Sequence, residues 1–467
     1  LDYPLKGLKT LALSELGVSM QSYEDVLSGA ETLADRSPEQ VYRYACADAD
    51  MALRLFHKLQ GRVPEEAARL DEQLVSVLLD MEDAGMYIDP VKLESAGQML
   101  TARLDKVTQV LVRDDLVDEA QPNPNSTFQI GREIKRQFPD KKLRTTPDGR
   151  IATDEPALRD LGGPFCERLL KYRGYKKVLS TYVLGLLTRL DDNNRVHTTF
   201  NLGLTHSGRL SSSGPNIENI PAVGEMGKLI RSCFTAPPGY RFLKIDYDQL
   251  ELRVMAALSG EPLLVNAVAN GDDVHLATAR RLFGRSSISY DERRLAKTIV
   301  YGWSYGGGPY KLQEVARKEG LELSIGEASY FHTEMGRTMP VLNEWKKSIM
   351  QDIQRTGFSY TLMGRRRDCM GVKSGDRKVR DEALREGFNH VVQGTAAEIV
   401  KKAMLRIAPL AKSLGVELVN QVHDELDLYV PLTASTGPLA NACEDALNGV
   451  VLPVSVHIGE SWYEEKD

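Results

Sequence analysis

Acidic residues lie at the ends of two segments that alternate like β-strands. Asp246 lies near the end of RFLKIDY, where Lys244 and Asp246 share one face of the predicted strand. Asp424 and Glu425 lie in VNQVHDELDLYVP, a predicted hairpin, between an apolar strand and an alternating one. Hard divalent cations bind one or two carboxylates together with substrate phosphates, and paired ions of this kind promote displacement at phosphorus. The pattern predicts metal-dependent phosphoryl transfer, whereas a helix cap at Asp246 and a polar hairpin tip are the plain alternatives.

Four side chains at intervals of four residues follow Ser289. Ser289 and Glu292 form a capping-box pattern and a Gly-Gly-Gly-Pro run begins at Gly306, so one helix is predicted over 290–305. One face of this helix carries two cations and then two aromatic rings, namely Arg293, Lys297, Tyr301 and Tyr305. Cations for a triphosphate followed by rings for a sugar and a base would suit a nucleotide. An amphipathic helix with a charged end and a buried aromatic end is the alternative.

Arginines also occur in two glycine-containing loops, HSGRLSSSGPNIENIP (206–221) and TLMGRRRD (361–368). Arginine together with small hydroxyl side chains suits contacts with phosphate and sugar. The net charge of −6 gives no sign of a nucleic-acid partner, so this inference depends on the local clusters. Arginines that only keep the surface soluble are the alternative.

The composition is that of a large globular protein. Its 467 residues are too many for one ordinary core, so roughly two to four packed units are expected. No apolar run approaches the ~20 residues needed to cross a bilayer, so no membrane partner is expected. Five scattered cysteines without a CxxC pair indicate reduced thiols in a cytosolic compartment. The chain opens at Leu1 without methionine or a signal-peptide pattern, and we expect it to be a fragment.

Predicted helices and strands are distributed unevenly. Apolar spacing predicts a helix over 40–60 and further helices over 61–120, interrupted by a strand-like stretch at 86–90. Turn formers predict loops at 121–128 and 145–150, and RVHTTFNL from Arg195 alternates like a strand. Strands therefore flank a helical middle, which indicates a multidomain α+β fold.

Together these segments resemble the family A (DNA polymerase I-like) DNA polymerases, in the family's own order. The family's motif A, DYSxxELR, is present as DYDQLELR from Asp246, and its motif B, RRxxKxxxxGxxYG, runs from Arg293 to Gly306. Motif C, VHDE, ends at Glu425. The stretch SGRLSSSGPNIENIP looks like the family's TGRLSSxxPNLQNIP, and FNHVVQGTAAEI (388–399) looks like NxPxQGTAADI.

The resemblance implies a right-hand polymerase of palm, fingers and thumb, with a remnant of an RNase H-like exonuclease domain. The implied divisions begin with residues 1–62, the C-terminal remnant of a 3′–5′ exonuclease-like domain. They continue with thumb and connecting helices at 63–190, palm at 191–260, fingers at 261–395 and palm again at 396–467. YACAD, with Tyr44 and Asp48, resembles the last motif of the 3′–5′ exonuclease. One carboxylate cannot hold two metal ions, so no self-contained proofreading is expected.

The resemblance also implies residue roles. The implied metal ligands are Asp246, Tyr247 and Asp424, and the implied catalytic residues are Asp246, Asp424, Glu425 and Lys297. The implied nucleotide-binding residues are Tyr247, Gln249, Glu251, His275, Arg293, Lys297, Tyr301 and Tyr305. The implied DNA-binding residues are Arg209, Asn216, Asn219, Arg253, Arg365, Arg366, Arg385, Asn389, Gln393 and His423. Glu251 would exclude a ribose 2′-hydroxyl.

The implied function is template-directed addition of deoxynucleotides to a primer 3′ end, in replication or repair, with two Mg²⁺ ions and Mn²⁺ tolerated. Primer-template DNA and deoxynucleoside triphosphates are the expected partners, alongside unidentified replication accessory proteins. A monomer in a bacterial or infected-cell cytoplasm is expected. The alternatives are a single-subunit phage-type RNA polymerase, against which Glu251 argues, and a catalytically silent DNA-binding replication scaffold.

Three positions depart from the family pattern. Asp248 replaces the usual serine of motif A, and Val223 lies where many relatives carry an arginine, so this chain has an extra acid and lacks a cation at these two positions. Tyr301 occupies a position that is usually phenylalanine in relatives that reject dideoxynucleotides. The resemblance therefore implies that chain terminators are accepted readily.

Overall fold

The structure, a computed structural model, describes residues 7–62, 64–116, 121–222 and 224–463. Val223 and the boundary at residue 63 lie outside the described residues. The first helices lie at Leu8–Leu11, Ala12–Leu16, Tyr23–Leu27, Leu33–Asp35 and Pro38–Leu59. Helices then follow at Glu65–Ala84, Pro90–Val110, Leu111–Asp115, Thr127–Gln137, Glu155–Leu161, Gly163–Lys177, Val178–Leu184 and Gly185–Leu187.

The second half of the chain contains the central sheet and a helical region inserted between its strands. Its helices lie at Gly224–Arg231, Leu250–Ser259, Pro262–Asn270, Val274–Phe283, Tyr290–Ser304, Pro309–Lys318, Ile325–Thr338, Pro340–Thr356, Met370–Lys373, Arg377–Leu414 and Gly437–Cys443. Short strand pairs are Met86–Tyr87 with Arg195–Val196, Thr199–Asn201 with Ser211–Ser213, Phe358–Tyr360 with Arg366–Asp368, and Asp445–Leu447 with Val450–Leu452.

Four antiparallel strands form the central sheet. Their spatial order is Val454–Gly459, Tyr240–Tyr247, Glu425–Pro431 and Glu417–Val422. Since side chains alternate across a strand, this sheet has two different faces. Leu243 and Ile245 face the largest hydrophobic core, whereas Phe242 and Tyr429 belong to a second core behind the sheet. The strand and hairpin predicted around the acidic residues are confirmed.

The predicted helices over 40–60 and 290–305 are confirmed as Pro38–Leu59 and Tyr290–Ser304. Ser289 and Glu292 make both hydrogen bonds of the capping box. The predicted loop over 121–128 is too long, because Ser126 already caps a helix by accepting from the Gln129 N–H at 3.3 Å. RVHTTFNL is two short strands rather than one, because its two halves pair with different segments. Within the described ranges, no helix is long and apolar enough to cross a membrane.

Candidate active site

The two predicted metal-binding aspartates lie at the same end of neighbouring strands. Asp246 is the direct cross-strand neighbour of Glu425, and Val422 pairs with Glu425 to close a two-residue turn that contains Asp424. The Tyr247 N–H donates to the Asp424 carbonyl oxygen at 3.2 Å, which ties this turn to the end of the Asp246 strand. The sheet register therefore brings together two carboxylates that are 178 positions apart in the sequence, counting from 246 to 424.

The hairpin turn has a constrained backbone. His423 has φ 57°, a left-handed conformation that is uncommon outside glycine. The Gln421 side-chain amide donates to the His423 carbonyl oxygen at 2.6 Å and fixes the turn from within. His423 itself is exposed, so its ring is accessible to a ligand that approaches the turn.

The Asp424 carboxyl is partly buried and lies near a cation. Burial raises the pKa of the Asp424 carboxyl, and the nearby Arg209 guanidinium opposes that shift.

A cavity of about 380 Å³ adjoins Asp246 and is also lined by Asp248, Gln249 and Asp273. In the described residues, no three His, Cys, Asp or Glu side chains converge closely enough to hold an ion alone. Two aspartates do fit Mg²⁺, which usually keeps water or phosphate oxygens as further ligands.

Tyr247 contributes to this region through its main chain. Its ring is buried and its phenol donates to the Cys443 carbonyl oxygen at 2.5 Å, on the core side of the sheet. Burial is also the main cause of the raised pKa of this phenol. Its side chain is therefore directed away from Asp246, and only its backbone is placed to meet a metal ion or a nucleotide.

Glu425 is held by other side chains. Its Oε2 lies 3.1 Å from the Lys244 Nζ, and its Oε1 accepts from the Trp462 Nε1–H at 3.2 Å. Both oxygens are thus engaged below the turn. Among the carboxylates of motif C, Asp424 is the one whose side chain has no such protein partner within the described chain.

The helix Tyr290–Ser304 presents the predicted row of cations and rings. Lys297 is exposed and makes no ion pair with any residue that the structure describes. Arg293 instead pairs with Asp273 at 2.5 Å. Asp273 also caps the helix Val274–Phe283 by accepting from the N–H groups of His275 and Leu276. The Arg293 guanidinium lowers the pKa of Asp273 against the effect of its burial.

An aromatic pair follows the cations. The rings of His275 and Tyr301 lie 5.4 Å apart, centre to centre. Burial lowers the pKa of His275 to about 4, so its ring is neutral near pH 7. Burial, with the charges of Glu251 and Asp424, raises the pKa of Tyr301 to about 12. Tyr301 is therefore close enough to Glu251 and to the turn of His423 and Asp424 for their charges to act on it.

A buried lysine supports the far end of the same helix. The Lys346 Nζ donates to the Trp303 carbonyl oxygen at 2.6 Å and lies over the rings of Trp303 and Phe388. Burial lowers the pKa of Lys346 from 10.5 to about 8. The Tyr305 hydroxyl, which ends the row, is buried with no hydrogen-bond partner in the described chain. Lys346 thus stabilises the turn from which Tyr305 projects.

Arg209 joins the loop 206–221 to motif A. Its guanidinium pairs with the Glu251 carboxylate at 2.5 Å. Burial raises the pKa of Glu251, and Arg209 counteracts that effect. Asn216 accepts from Ser212 and from the Asn219 N–H, which orders the loop beside a cavity of about 470 Å³.

The other predicted DNA-binding residues fall into two groups. Arg365 is committed to internal ion pairs, with Asp71 at 2.9 Å and Glu398 at 3.6 Å. Its side chain therefore fixes the loop 361–368 and has limited access to DNA. The remaining members have partly accessible side chains and are Arg253, Arg366, Arg385, Asn389 and Gln393. Arg253 adjoins Asp246 in the same cavity and donates to the carbonyl oxygens of Asp248 and Val451.

A family model described as DNA polymerase family A matches residues 91–464. The chain belongs to DNA polymerase family A. This family A chain is 36% identical to "DNA polymerase I, thermostable" of Thermus filiformis, over 99% of the chain and 57% of that protein. It is 32% identical to DNA polymerase I of Chloroflexus aurantiacus, over 98% of the chain and 51% of that protein. It therefore spans about half the length of these relatives.

A solved structure of the family shares the fold. The POL domain of Pol1 from M. smegmatis, in complex with DNA primer-template and dNTP, superposes with a TM-score of 0.79. It is 29% identical to this chain, and the match covers 98% of this chain and 78% of that one. The expected multidomain α+β fold of a palm-fingers-thumb polymerase is confirmed.

Sequence patterns alone did not identify two buried lysines of this family A site. Lys346 donates to the end of the helix Tyr290–Ser304. It is one of two adjacent lysines in EWKKS, and nothing in that sequence indicates that one of them is buried. Lys244 contacts Glu425, and its position on the Asp246 face of the strand was a usable signal. The strand register pairs Lys244 with Asp427 and Asp246 with Glu425, so the contact between Lys244 and Glu425 is a diagonal one that the sequence does not indicate.

Proposed function

We propose that this chain is a template-directed DNA polymerase that extends a primer 3′ end with deoxynucleotides. The observation that carries the proposal is the juxtaposition of Asp246 and Asp424 at one sheet end, beside a helix whose Lys297 is an exposed, unpaired cation in the described chain. Phosphoryl transfer depends mainly on positioning and on stabilisation of charge, and these residue types supply both. The DNA primer-template and dNTP present in the M. smegmatis structure support the same substrates.

Each part of the site has a role in the proposed reaction. Bound through Asp246, Asp424 and the Tyr247 main chain, two Mg²⁺ ions would stabilise the attacking and leaving oxygens. Lys297 and Arg293 bind the triphosphate, and neutral His275 offers a hydrogen bond without adding charge. The Glu251 side chain excludes a 2′-hydroxyl from the sugar position.

The DNA duplex is assigned to the exposed polar loops around this turn. Asn216, Asn219 and His423 are exposed and lie on segments next to Asp424 or Arg209. Such groups position a duplex through phosphate, sugar and minor-groove contacts. Arg365 contributes by holding its loop in place.

We propose the domain divisions that the family resemblance implies. Palm segments at 191–260 and 396–467 supply the strands of the central sheet, and the fingers at 261–395 contain the helix Tyr290–Ser304. The thumb is assigned to 63–190, and an exonuclease-like remnant to 1–62. Within that remnant Asp48 is the one recognisable exonuclease carboxylate, so this chain alone is proposed not to degrade a mismatched primer.

Primer extension on a defined template tests the proposal. Asp246→Asn or Asp424→Asn should lower the rate at least about a hundredfold, since one lost electrostatic anchor in such a site raises the barrier by ~3 kcal/mol. The control is Asp352→Asn, at an exposed carboxylate that pairs with Arg355 on the surface. DNA affinity should change little in all three variants. Near-normal extension by either active-site variant would refute the assignment.

The competing functions give different results in that assay. A phage-type RNA polymerase would prefer ribonucleotides, and a silent scaffold would bind DNA without extending it. Glu251→Ala should raise ribonucleotide incorporation relative to wild type, because it opens space at the sugar edge. An unchanged deoxy-to-ribo preference would place sugar selection elsewhere.

A further inference from the structure

A cluster of buried polar side chains lies next to the turn of His423 and Asp424, called the catalytic turn below. The Glu425 carboxylate is held from one side by the Lys244 ammonium at 3.1 Å and from the other by the Trp462 indole N–H at 3.2 Å. Lys244 is 8% exposed and Trp462 is fully buried. The three residues come from three different strands or segments, so their contact joins the Asp246 strand, the hairpin and the C-terminal end of the described chain.

The same cluster extends to the polar loop that precedes motif A. The Arg231 guanidinium lies 3.9 Å from the centre of a Trp462 ring, within the range of a cation–π contact. Arg231 also donates to the carbonyl oxygens of Ile220 and Pro221, each at 3.0 Å. Ile220 and Pro221 end the loop 206–221 to which primer contacts are assigned. An uninterrupted set of buried contacts therefore connects that loop with the turn.

We propose that Arg231, Trp462 and Lys244 are positioning residues that act through Glu425 to fix the catalytic turn relative to the primer loop. This inference rests on the proposed function. Glu425 is the cross-strand neighbour of Asp246 and directly follows Asp424, so a change in its side chain is transmitted to both aspartates. The assigned role of Glu425 is therefore orientation of the turn, and contact with the substrate belongs to the two aspartates.

The choice of residues favours orientation over simple stability. A buried ion pair seldom stabilises a fold more than a well-packed apolar pair of the same volume, because both charges lose their hydration. The neighbouring core residues Phe242 and Tyr429 show that apolar packing serves this sheet face elsewhere. Lys244 also places a positive charge among carboxylates that would otherwise repel each other, and that charge keeps Glu425 directed below the turn.

A double-mutant cycle on the intact chain tests the proposal. Lys244→Met, Glu425→Gln and the double variant are compared for kcat and for the KM of primer-template, with active-site titration to count folded enzyme. We expect Lys244→Met to lower kcat about tenfold with the KM for primer-template within about twofold, the signature of an effect on the reacting geometry. The double variant should be no slower than the slower single variant, because the residues act as one unit.

Conservative variants separate orientation from folding. Lys244→Arg should keep kcat within about threefold of wild type, since it retains the charge. Trp462→Phe should lower kcat about threefold, less than Lys244→Met, because it removes a hydrogen bond to Glu425 but leaves the Lys244 charge in place. Lys347→Met, at an exposed lysine paired with Glu344, is the matched control. Urea unfolding without Mg²⁺ provides a second readout, in which the Lys244 and Glu425 substitutions should again be non-additive.

The outcomes distinguish the inference from the proposed function. A wild-type chain that does not extend primers refutes the proposed function, while the unfolding cycle still reports on the contact between Lys244 and Glu425. An active wild type with additive effects on kcat overturns the inference. Variants that lose only folded fraction, with kcat per active site unchanged, also overturn it.

Discussion

Asp273→Asn is predicted to strengthen nucleotide binding. Asp273 pairs with Arg293, which is predicted to bind the triphosphate, at 2.5 Å. A triphosphate that uses the full guanidinium must compete with this carboxylate. Asparagine keeps an acceptor oxygen for the helix cap but removes the charge, and the two residues are about equally good at that position.

The magnitude follows from the exposure of the pair. The side chains of Arg293 and Asp273 are 39% and 27% exposed, so solvent screens the pair strongly. Pairs of this kind contribute ~0.2–1 kcal/mol, and the upper half of that range corresponds to a factor of about two to five in affinity. The KM for deoxynucleotides should therefore fall about two- to fivefold at low salt, and the difference should shrink as ionic strength rises.

Steady-state extension with a single deoxynucleotide, titrated at two salt concentrations, measures the effect. Asp291→Asn is the matched control. Asp291 lies in the first turn of the helix Tyr290–Ser304, which also carries Arg293, and it pairs with Arg294 on the surface. Inhibition by inorganic pyrophosphate should strengthen in parallel in Asp273→Asn, since the product binds the same cations. A KM that rises in Asp273→Asn would refute the reasoning and show that Asp273 orients Arg293 for the substrate.

Three further outcomes are expected. Lys297→Ala should slow extension far more than Lys318→Ala, because Lys297 is proposed to bind the triphosphate and Lys318 is an exposed lysine paired with Glu314. Equal rates in the two variants would rule out the triphosphate role of Lys297. Tyr301→Phe should increase selection against dideoxynucleotides about ten- to a hundredfold in competition assays, the effect of one hydrogen bond to a charged group, whereas a core role predicts an unchanged ratio. The pKa of Lys346 is about 8 in the folded chain, so between pH 8 and 10 the unfolded chain binds more protons. The stability of the wild type should therefore rise with pH relative to that of Lys346→Met. Melting temperatures that change equally with pH in the two proteins would contradict this.

Local patterns predicted those features whose causes are local. The capping box at Ser289 and the helix it starts depend on residues three apart, and both are present in the structure. The hairpin around Asp424 follows from alternation on either side of a short polar turn. In the same way, spacing by four placed Lys297 and Tyr301 on one helix face.

Features that depend on packing between distant segments were not predictable. Arg365 looks like a surface arginine in the sequence, but the helix Glu65–Ala84 packs against Arg377–Leu414 and brings Asp71 to it from 294 positions away. The Lys401 ammonium shares the same aspartate at 2.7 Å. RVHTTFNL forms two strands instead of the predicted one for a related reason, since its pairing partners lie in two separate segments.

The cations of the site differ in whether a carboxylate already holds them. Arg209 is held by Glu251 and Arg293 by Asp273, so each of these cations must exchange a carboxylate for a phosphate or a DNA group. Lys297 has no such partner in the described residues and lies exposed on the same helix face as Arg293. An unpaired, exposed ammonium attracts a triphosphate without first breaking a contact. Under the proposed function, Lys297 can therefore bind a triphosphate without breaking an ion pair, whereas Arg293 has to leave Asp273 to do so.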